Sequence, residues 1–198
     1  VKLVLVRHPS PDIAPGICYG RLDLGLRADG SGEVAVIVAS LAAHRVTRIW
    51  SSPARRCRVV AEAIGAPVRL DPRLLELDFG AWEGVAWDDV PRAALDAWAA
   101  DPLGFAPPGG ETGAALLARV ESVHRALLAA GEDCAVVSHG GPLKLLAALL
   151  RGEAPDLLAP APPLGSVEVF LLPPQRADSS ASAAHSVTTE AAPSTSPV

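Results

Sequence analysis

Aromatic residues make up 4% of this 198-residue chain, so no cluster of them marks an interface patch, and the oligomeric state is left open. Cysteine is also scarce. Cys18, Cys57 and Cys134 form an odd set without close paired spacing, which excludes a disulfide framework or a zinc ligand pattern and suits a reducing cytoplasm. Positive charge is in short supply: 17 Lys and Arg stand against 22 Asp and Glu, a formal net charge of -5. A nucleic-acid surface or a basic membrane patch is therefore not expected, and any anion site must be a local cluster. Long apolar runs are missing too. The stretch VKLVLV is too short for a signal peptide's hydrophobic region and far too short to span a bilayer. No internal repeat is visible.

What is present is a 49% hydrophobic composition, enough for one domain with a sizeable core. Val1 to Val6 reads as a buried strand stopped by RHPSP. Asp29 is placed to cap a helix whose apolar stripe is Val34, Ile37, Val38 and Leu41, ending near His44. RVTRIWSS reads as a second strand, and Ser52-Pro53 as the start of a helix that runs through Val60, Ala63 and Ile64 to Gly65. PVRL is a short third strand. DPRLLELDFGAWEG is loop-like but rich in carboxylates and aromatics. A helix is expected around Trp87 to Ala100, then irregular backbone over DPLGFAPPGGE. Leu116, Val120, Val123 and Leu127 mark a long amphipathic helix. CAVVS is a strand, Pro142 starts another helix, and SVEVFLL is the last strand. Alternating strands and helices imply an α/β fold, a three-layer α/β/α sandwich with a mostly parallel central sheet, over residues 1–172. Residues 173–198 are rich in Ser, Thr, Ala and Pro and are expected to form a disordered tail.

Two strand ends carry histidine: VLVRHP at His8 and AVVSHGG at His139. Ligands gather at the carboxyl ends of parallel strands, so these two residues can converge although they are far apart in sequence. Either one alone could be a satisfied structural histidine. His44, His124 and His185 have no partner signature and read as structural or solvated. Arg7 adjoins His8, and Arg56 falls on the first turns of the helix opened by SSPARRCR. A guanidinium fork binds phosphate oxygens through paired, charge-assisted hydrogen bonds, whereas Arg55 and Arg58 read as a solvated face.

In order, RH, SSPxxRCR, LLELDFGxWEG, PPGGE and VVSHGG resemble the motifs of the histidine phosphatase superfamily, which has a phosphoglycerate-mutase-like fold. The resemblance runs from Val1 to about Leu172. It implies that His8 is the phosphorylated histidine, Arg7 and Arg56 the phosphate-binding arginines, His139 the second histidine and Glu76 the proton donor. Asp78 and Glu83 are rival acids in the same segment; Glu111 is expected to support a helix start and the pocket. Substrate contacts are expected at Arg7, Arg56, Tyr19, Gly20 and Gly140.

The implied activity is a phosphomonoesterase without metal or other cofactor, acting on a small phosphorylated metabolite. The two histidines and Glu76 could also be read as a two-His-one-carboxylate metal site, although two arginines in the same pocket would repel a dication. The segment APGICYGRLD is similar to the loop of α-ribazole-5'-phosphate phosphatases, which act late in cobalamin assembly. Pro9 departs from the Gly or Thr usual after RH and removes a backbone donor from the phosphate loop. A phosphoglycerate mutase and a non-catalytic phosphate-binding module are the alternatives; the chain looks short for a mutase, and all five catalytic positions are filled.

Overall fold

The computed structural model describes residues 1–173; His185 and all but the first residue of the expected tail lie outside that range. Five strands, β1 (Lys2–Arg7), β2 (Arg48–Ser51), β3 (Val68–Leu70), β4 (Cys134–Ser138) and β5 (Val167–Leu171), form one sheet in the order β3-β2-β4-β1-β5. The first four run parallel, and β5 pairs antiparallel with β1. The reversal follows from the chain before β5. Pro162 and Gly165 meet Arg7 and His8 at the carboxyl end of β1, so the strand that follows can only descend.

The helices are α1 (Gly30–Leu41), α2 (Arg55–Ile64), α3 (Arg92–Ala100), α4 (Gly113–Ala130) and α5 (Gly140–Arg151). Alternate residues of the strands point to opposite faces. Val4, Val6, Ile49, Ala135 and Val137 pack with α1 and α2. Leu3, Leu5, Trp50, Cys134 and Val136 pack with α4 and α5. This is the three-layer sandwich expected from the alternation of elements. Leu116, Val120, Val123 and Leu127 are all buried, as their spacing predicts, and of the first stripe Val34, Ile37 and Leu41 are buried. A smaller cluster of Cys18, Trp82 and Val90 gathers Phe79, Trp87, Trp98 and Phe105 around α3.

Three helix boundaries differ from expectation. The second helix begins at Arg55 rather than Pro53, because the Ser52 hydroxyl accepts the Ala54 N–H in a local turn. The segment expected to be helical from Trp87 is a short 3-10 turn over Trp87–Asp89, and α3 begins only after Pro91. The last helix starts at Gly140, two residues before Pro142. In α2 the buried small residue is Ala61, while Ala63 is exposed.

Candidate active site

Strands β1 and β4 are neighbours with Arg7 opposite Ser138, so the residues that follow them, His8 and His139, leave the sheet side by side. The His8 N–H donates to the Ser138 carbonyl at 3.2 Å, and the two imidazoles meet edge to face with centroids 5.1 Å apart. On the other flank of β4, the Ser52 N–H donates to the Val137 carbonyl at 2.9 Å. The turn through Ala54 then opens α2 and carries Arg56 back over the strand ends. His8, Ser52, Arg56 and His139 are all buried, with 1% exposure at His8 and none at Arg56.

A buried guanidinium needs acceptors for its five donors. Arg56 finds three: His8 Nε2 at 3.3 Å from Nε, the Leu22 carbonyl at 2.7 Å from Nη1 and the Gly20 carbonyl at 2.8 Å from Nη2. His8 Nδ1 lies 2.7 Å from the Pro9 carbonyl, which can only accept, so Nδ1 carries the proton and Nε2 the lone pair. Burial, reinforced by the Arg56 charge, pushes the His8 pKa down to about 3 against the opposing pull of the Pro9 carbonyl. His139 is driven well below its ordinary value by burial and then by Arg56. Its Nε2 lies 2.7 Å from Ser52 Oγ and 3.5 Å from the Cys57 sulfur. That thiol is pushed up to about 12 by burial and stays protonated at neutral pH.

Arg7 donates to the Pro162 carbonyl, and its Nε is buried without a partner. Gly140 makes room for it: a β-carbon there would stand 3.1 Å from the Arg7 guanidinium carbon and 2.9 Å from Ala161 Cβ. Glu76 closes the other side. Its carboxylate accepts from Gly141 N at 3.0 Å, in the first turn of α5, and from Leu77 N at 2.9 Å. The Gly141 N–H is one of those that the start of a helix leaves without an intrahelical partner.

The rival acids are engaged elsewhere. Asp78 accepts from Gly80 N. Glu83 accepts from the backbone N–H groups of Arg21, Leu22 and Phe79, and so fixes the loop whose carbonyls hold Arg56. The expected helix-start role of Glu111 is filled instead by Thr112, whose hydroxyl accepts from Ala115 N. Glu111 pairs with Arg119 through both carboxylate oxygens, at 2.8 and 3.0 Å. Arg119 and Arg21 in turn both donate to the Glu76 carbonyl, at 2.9 and 2.8 Å. Tyr19 lies with its ring 5.4 Å from the Arg56 guanidinium. Gly20, expected as a substrate contact, is buried, and a β-carbon there would overlap the Leu77 carbonyl. What it offers in the structure is the carbonyl that holds Arg56.

Ser52, Arg21 and Arg119 are the participants that sequence reasoning missed. Ser52 stood in the quoted SSP motif but was read only as a helix start. Nothing local marks Arg119 as a holder of Glu76, because apart from Glu111 its acceptors are the carbonyls of Arg73, Leu75 and Glu76 in a distant loop. Among the described residues, no group of three or more His, Cys, Asp or Glu side chains is placed to hold a metal ion, and no helix is long and apolar enough to cross a membrane.

Comparison with known proteins identifies the family. The model of the histidine phosphatase superfamily (branch 1) matches residues 3–178. The chain is 33% identical over 171 residues to a glucosyl-3-phosphoglycerate phosphatase of Mycolicibacterium vanbaalenii, covering 78% of this chain and 76% of that protein. It is 28% identical over 162 residues to phosphoserine phosphatase 1 of Hydrogenobacter thermophilus, covering 77% of each. Its fold superposes on the α-ribazole phosphatase of Shigella flexneri with a TM-score of 0.78 and 26% identity, over 85% of this chain and 89% of the other. Paired histidines at adjacent strand ends, a family match along almost the whole described chain and phosphatase relatives together make this protein a member of the histidine phosphatase superfamily and a phosphoric monoester hydrolase.

Proposed function

We propose that the protein hydrolyses its substrate through a phosphohistidine on His8, without a metal ion. The observation that carries this reading is the His8 Nδ1–Pro9 carbonyl hydrogen bond, which puts the proton on Nδ1 and the lone pair on Nε2, where it accepts from Arg56 Nε. That lone pair forms the N–P bond as the P–O bond to the leaving alcohol breaks. Glu76, as the carboxylic acid, gives its proton to the departing oxygen. As the carboxylate, it then takes a proton from the water whose oxygen attacks phosphorus, and the P–N bond electrons return to Nε2. Arg7, Arg56, His139 and the α5 N-terminus supply donors for the equatorial oxygens, where charge builds up in phosphoryl transfer. For the phosphate to reach Nε2, its oxygen must replace that nitrogen as the acceptor for Arg56 Nε.

Pro9 has two opposed effects. It withdraws one N–H from the phosphate loop, and its carbonyl holds the reactive tautomer of His8. The proposed substrate is a small phosphorylated metabolite of the α-ribazole 5'-phosphate kind. The APGICYGRLD segment and the likeness to the Shigella enzyme support that choice, and the phosphatase relatives favour hydrolysis over phosphate return to a product.

The test is hydrolysis of 4-nitrophenyl phosphate in EDTA, with acid-labile phosphate trapped on His8. Full activity of His8→Ala would overturn the mechanism. Alpha-ribazole phosphate, phosphoserine, glucosyl-3-phosphoglycerate and 3-phosphoglycerate then separate the substrates. Conversion of 3-phosphoglycerate to its isomer without phosphate release would make the protein a mutase instead.

A further inference from the structure

The peptide group that joins Pro9 to Ser10 is held at both edges. Its carbonyl lies 2.7 Å from His8 Nδ1. Its N–H donates to one carboxylate oxygen of Glu33 at 2.8 Å, and the Ser10 hydroxyl donates to the other at 3.2 Å. Glu33 comes from a separate element, the first turn of α1, and is half-buried there, while Pro9 is buried. The backbone on either side is tied as well. The His8 N–H donates to the Ser138 carbonyl, the His8 carbonyl accepts from Gly165 N, and the Ser10 carbonyl accepts from Arg27 N.

Two consequences follow from these bonds. Neither N–H after His8 is open to a phosphate, since Pro9 has none and that of Ser10 is engaged by Glu33. The peptide serves the imidazole instead. A trans peptide is planar, with its C=O and N–H at opposite edges, so a carboxylate that fixes the N–H also aims the carbonyl. Hydrogen bonds to a charged acceptor are the strong ones, and bonds in a chain polarise one another. The Glu33 charge therefore makes the Pro9 carbonyl a better acceptor for Nδ1–H. Arg56 Nε also selects this tautomer, by donating to Nε2, until a phosphate oxygen becomes its acceptor. From then on the Pro9 carbonyl keeps the proton on Nδ1. A ring with its proton on Nε2 would donate to the phosphate and have no lone pair to attack it.

From this chain of contacts we infer that Glu33 is a positioning residue for the nucleophile, acting through the Pro9–Ser10 peptide to keep the His8 lone pair on Nε2 while phosphate is bound. The inference rests on the reading of His8 as the nucleophile. A carboxylate orients the histidine of a Ser-His-Asp site by accepting Nδ1–H directly; here one peptide group stands between the two.

The experiment measures the rate of His8 phosphorylation by 4-nitrophenyl phosphate, from the pre-steady-state release of nitrophenolate. Glu33→Ala should slow this step about tenfold or more and change KM by less than about threefold, because lost orientation at the reacting atom acts on the chemical step. Glu33→Gln keeps an acceptor for the Ser10 N–H and should recover most of the rate. Asp29→Asn removes an exposed carboxylate just before α1 and should leave the rate as it is. The ¹⁵N resonances of the His8 ring under saturating inorganic phosphate report the tautomer: Nδ1–H in the native protein, with a fraction of Nε2–H appearing in Glu33→Ala. A native ring protonated on Nε2, a native phosphorylation rate in Glu33→Ala, or a tautomer unmoved by that substitution would overturn the inference. If the tautomer shifts while the native protein forms no phosphohistidine, Glu33 stands as the holder of the ring and the reading of His8 as nucleophile fails.

Discussion

The Ser52 hydroxyl lies 2.7 Å from Nε2 of His139, in a site where both side chains are fully buried. The same hydroxyl accepts the Ala54 N–H at 3.3 Å, so one atom joins the start of α2 to the orientation of the second histidine. Ser52→Ala would leave a buried ring nitrogen without its partner, at a cost of about 1–3 kcal/mol. We expect kcat to fall about tenfold or more with a much smaller change in KM, and Ser52→Thr to restore most of it. Steady-state kinetics with the phosphorylation rate measured separately will decide; an unchanged kcat in the alanine variant would limit Ser52 to the α2 turn.

Gly141 is the glycine at which a methyl group would press directly on the Glu76 carboxylate. A β-carbon there would overlap Glu76 Oε1, so Gly141→Ala must move the carboxylate off the α5 N-terminus. A misplacement near 1 Å costs about a hundredfold, and that loss is expected for esters with poor leaving groups. Activated 4-nitrophenyl phosphate needs little acid assistance in the first step but still needs the base in the second. Phosphohistidine should therefore accumulate with it, which a rapid alkaline quench will detect.

Glu111 and Arg119 set the height of the Glu76 backbone. Burial opposes the Glu111 charge, but the hydrogen bonds and charge of Arg119 prevail and hold its pKa below the ordinary value. The sign of the linkage follows: the pair stabilises the fold above the unfolded carboxyl pKa, and that contribution is lost as pH falls through the lowered folded value. Glu111→Gln should cost about 1–3 kcal/mol near neutral pH, read as a lower denaturant midpoint. The difference from the native protein should shrink in acid. A difference that does not change with pH would mean that the ion pair contributes nothing.

His8 has a folded pKa near 3 against an unfolded value of about 6.5. The unfolded chain therefore binds the extra proton first. Stability falls as pH drops below about 6.5 and levels off near 3, with no contribution from this residue above that window. His8 itself stays neutral until the pH approaches about 3. The His8 ring resonances should show no titration between pH 5 and 8, and the acid limb of kcat/KM should not follow an imidazole. A His8 midpoint near 6.5 would contradict the burial and charge that the structure places around it.

Much of this architecture is legible in the chain because it depends on short-range chemistry. The periodicity of Leu116 to Leu127 and the β-branched runs ending at His8 and His139 specify which faces are buried, and burial follows hydrophobic spacing. The five motifs contain His8, Arg56 and His139, which the structure gathers at the strand ends, and Glu76, which meets the start of α5.

Contacts between segments remote in sequence were not legible. Glu111 reads as support for a helix start, yet it pairs with Arg119, which together with Arg21 donates to the distant Glu76 carbonyl. Glu83 reads as a spare acid, yet it organises the loop whose carbonyls satisfy Arg56. Gly20 reads as a substrate contact, yet it is the place where that loop passes too close to Leu77 for a side chain. The direction of β5 likewise depends on where the chain after α5 crosses the carboxyl end of β1.

The sequence alone determined the three-layer α/β pattern and the reactive residue types, because periodicity and side-chain chemistry are properties of the chain itself. Only the tertiary structure decided which imidazole nitrogen of His8 carries the proton and what satisfies the buried Arg56 and Glu111 charges. Those depend on distances between strand ends and loops that come together only when the sheet closes.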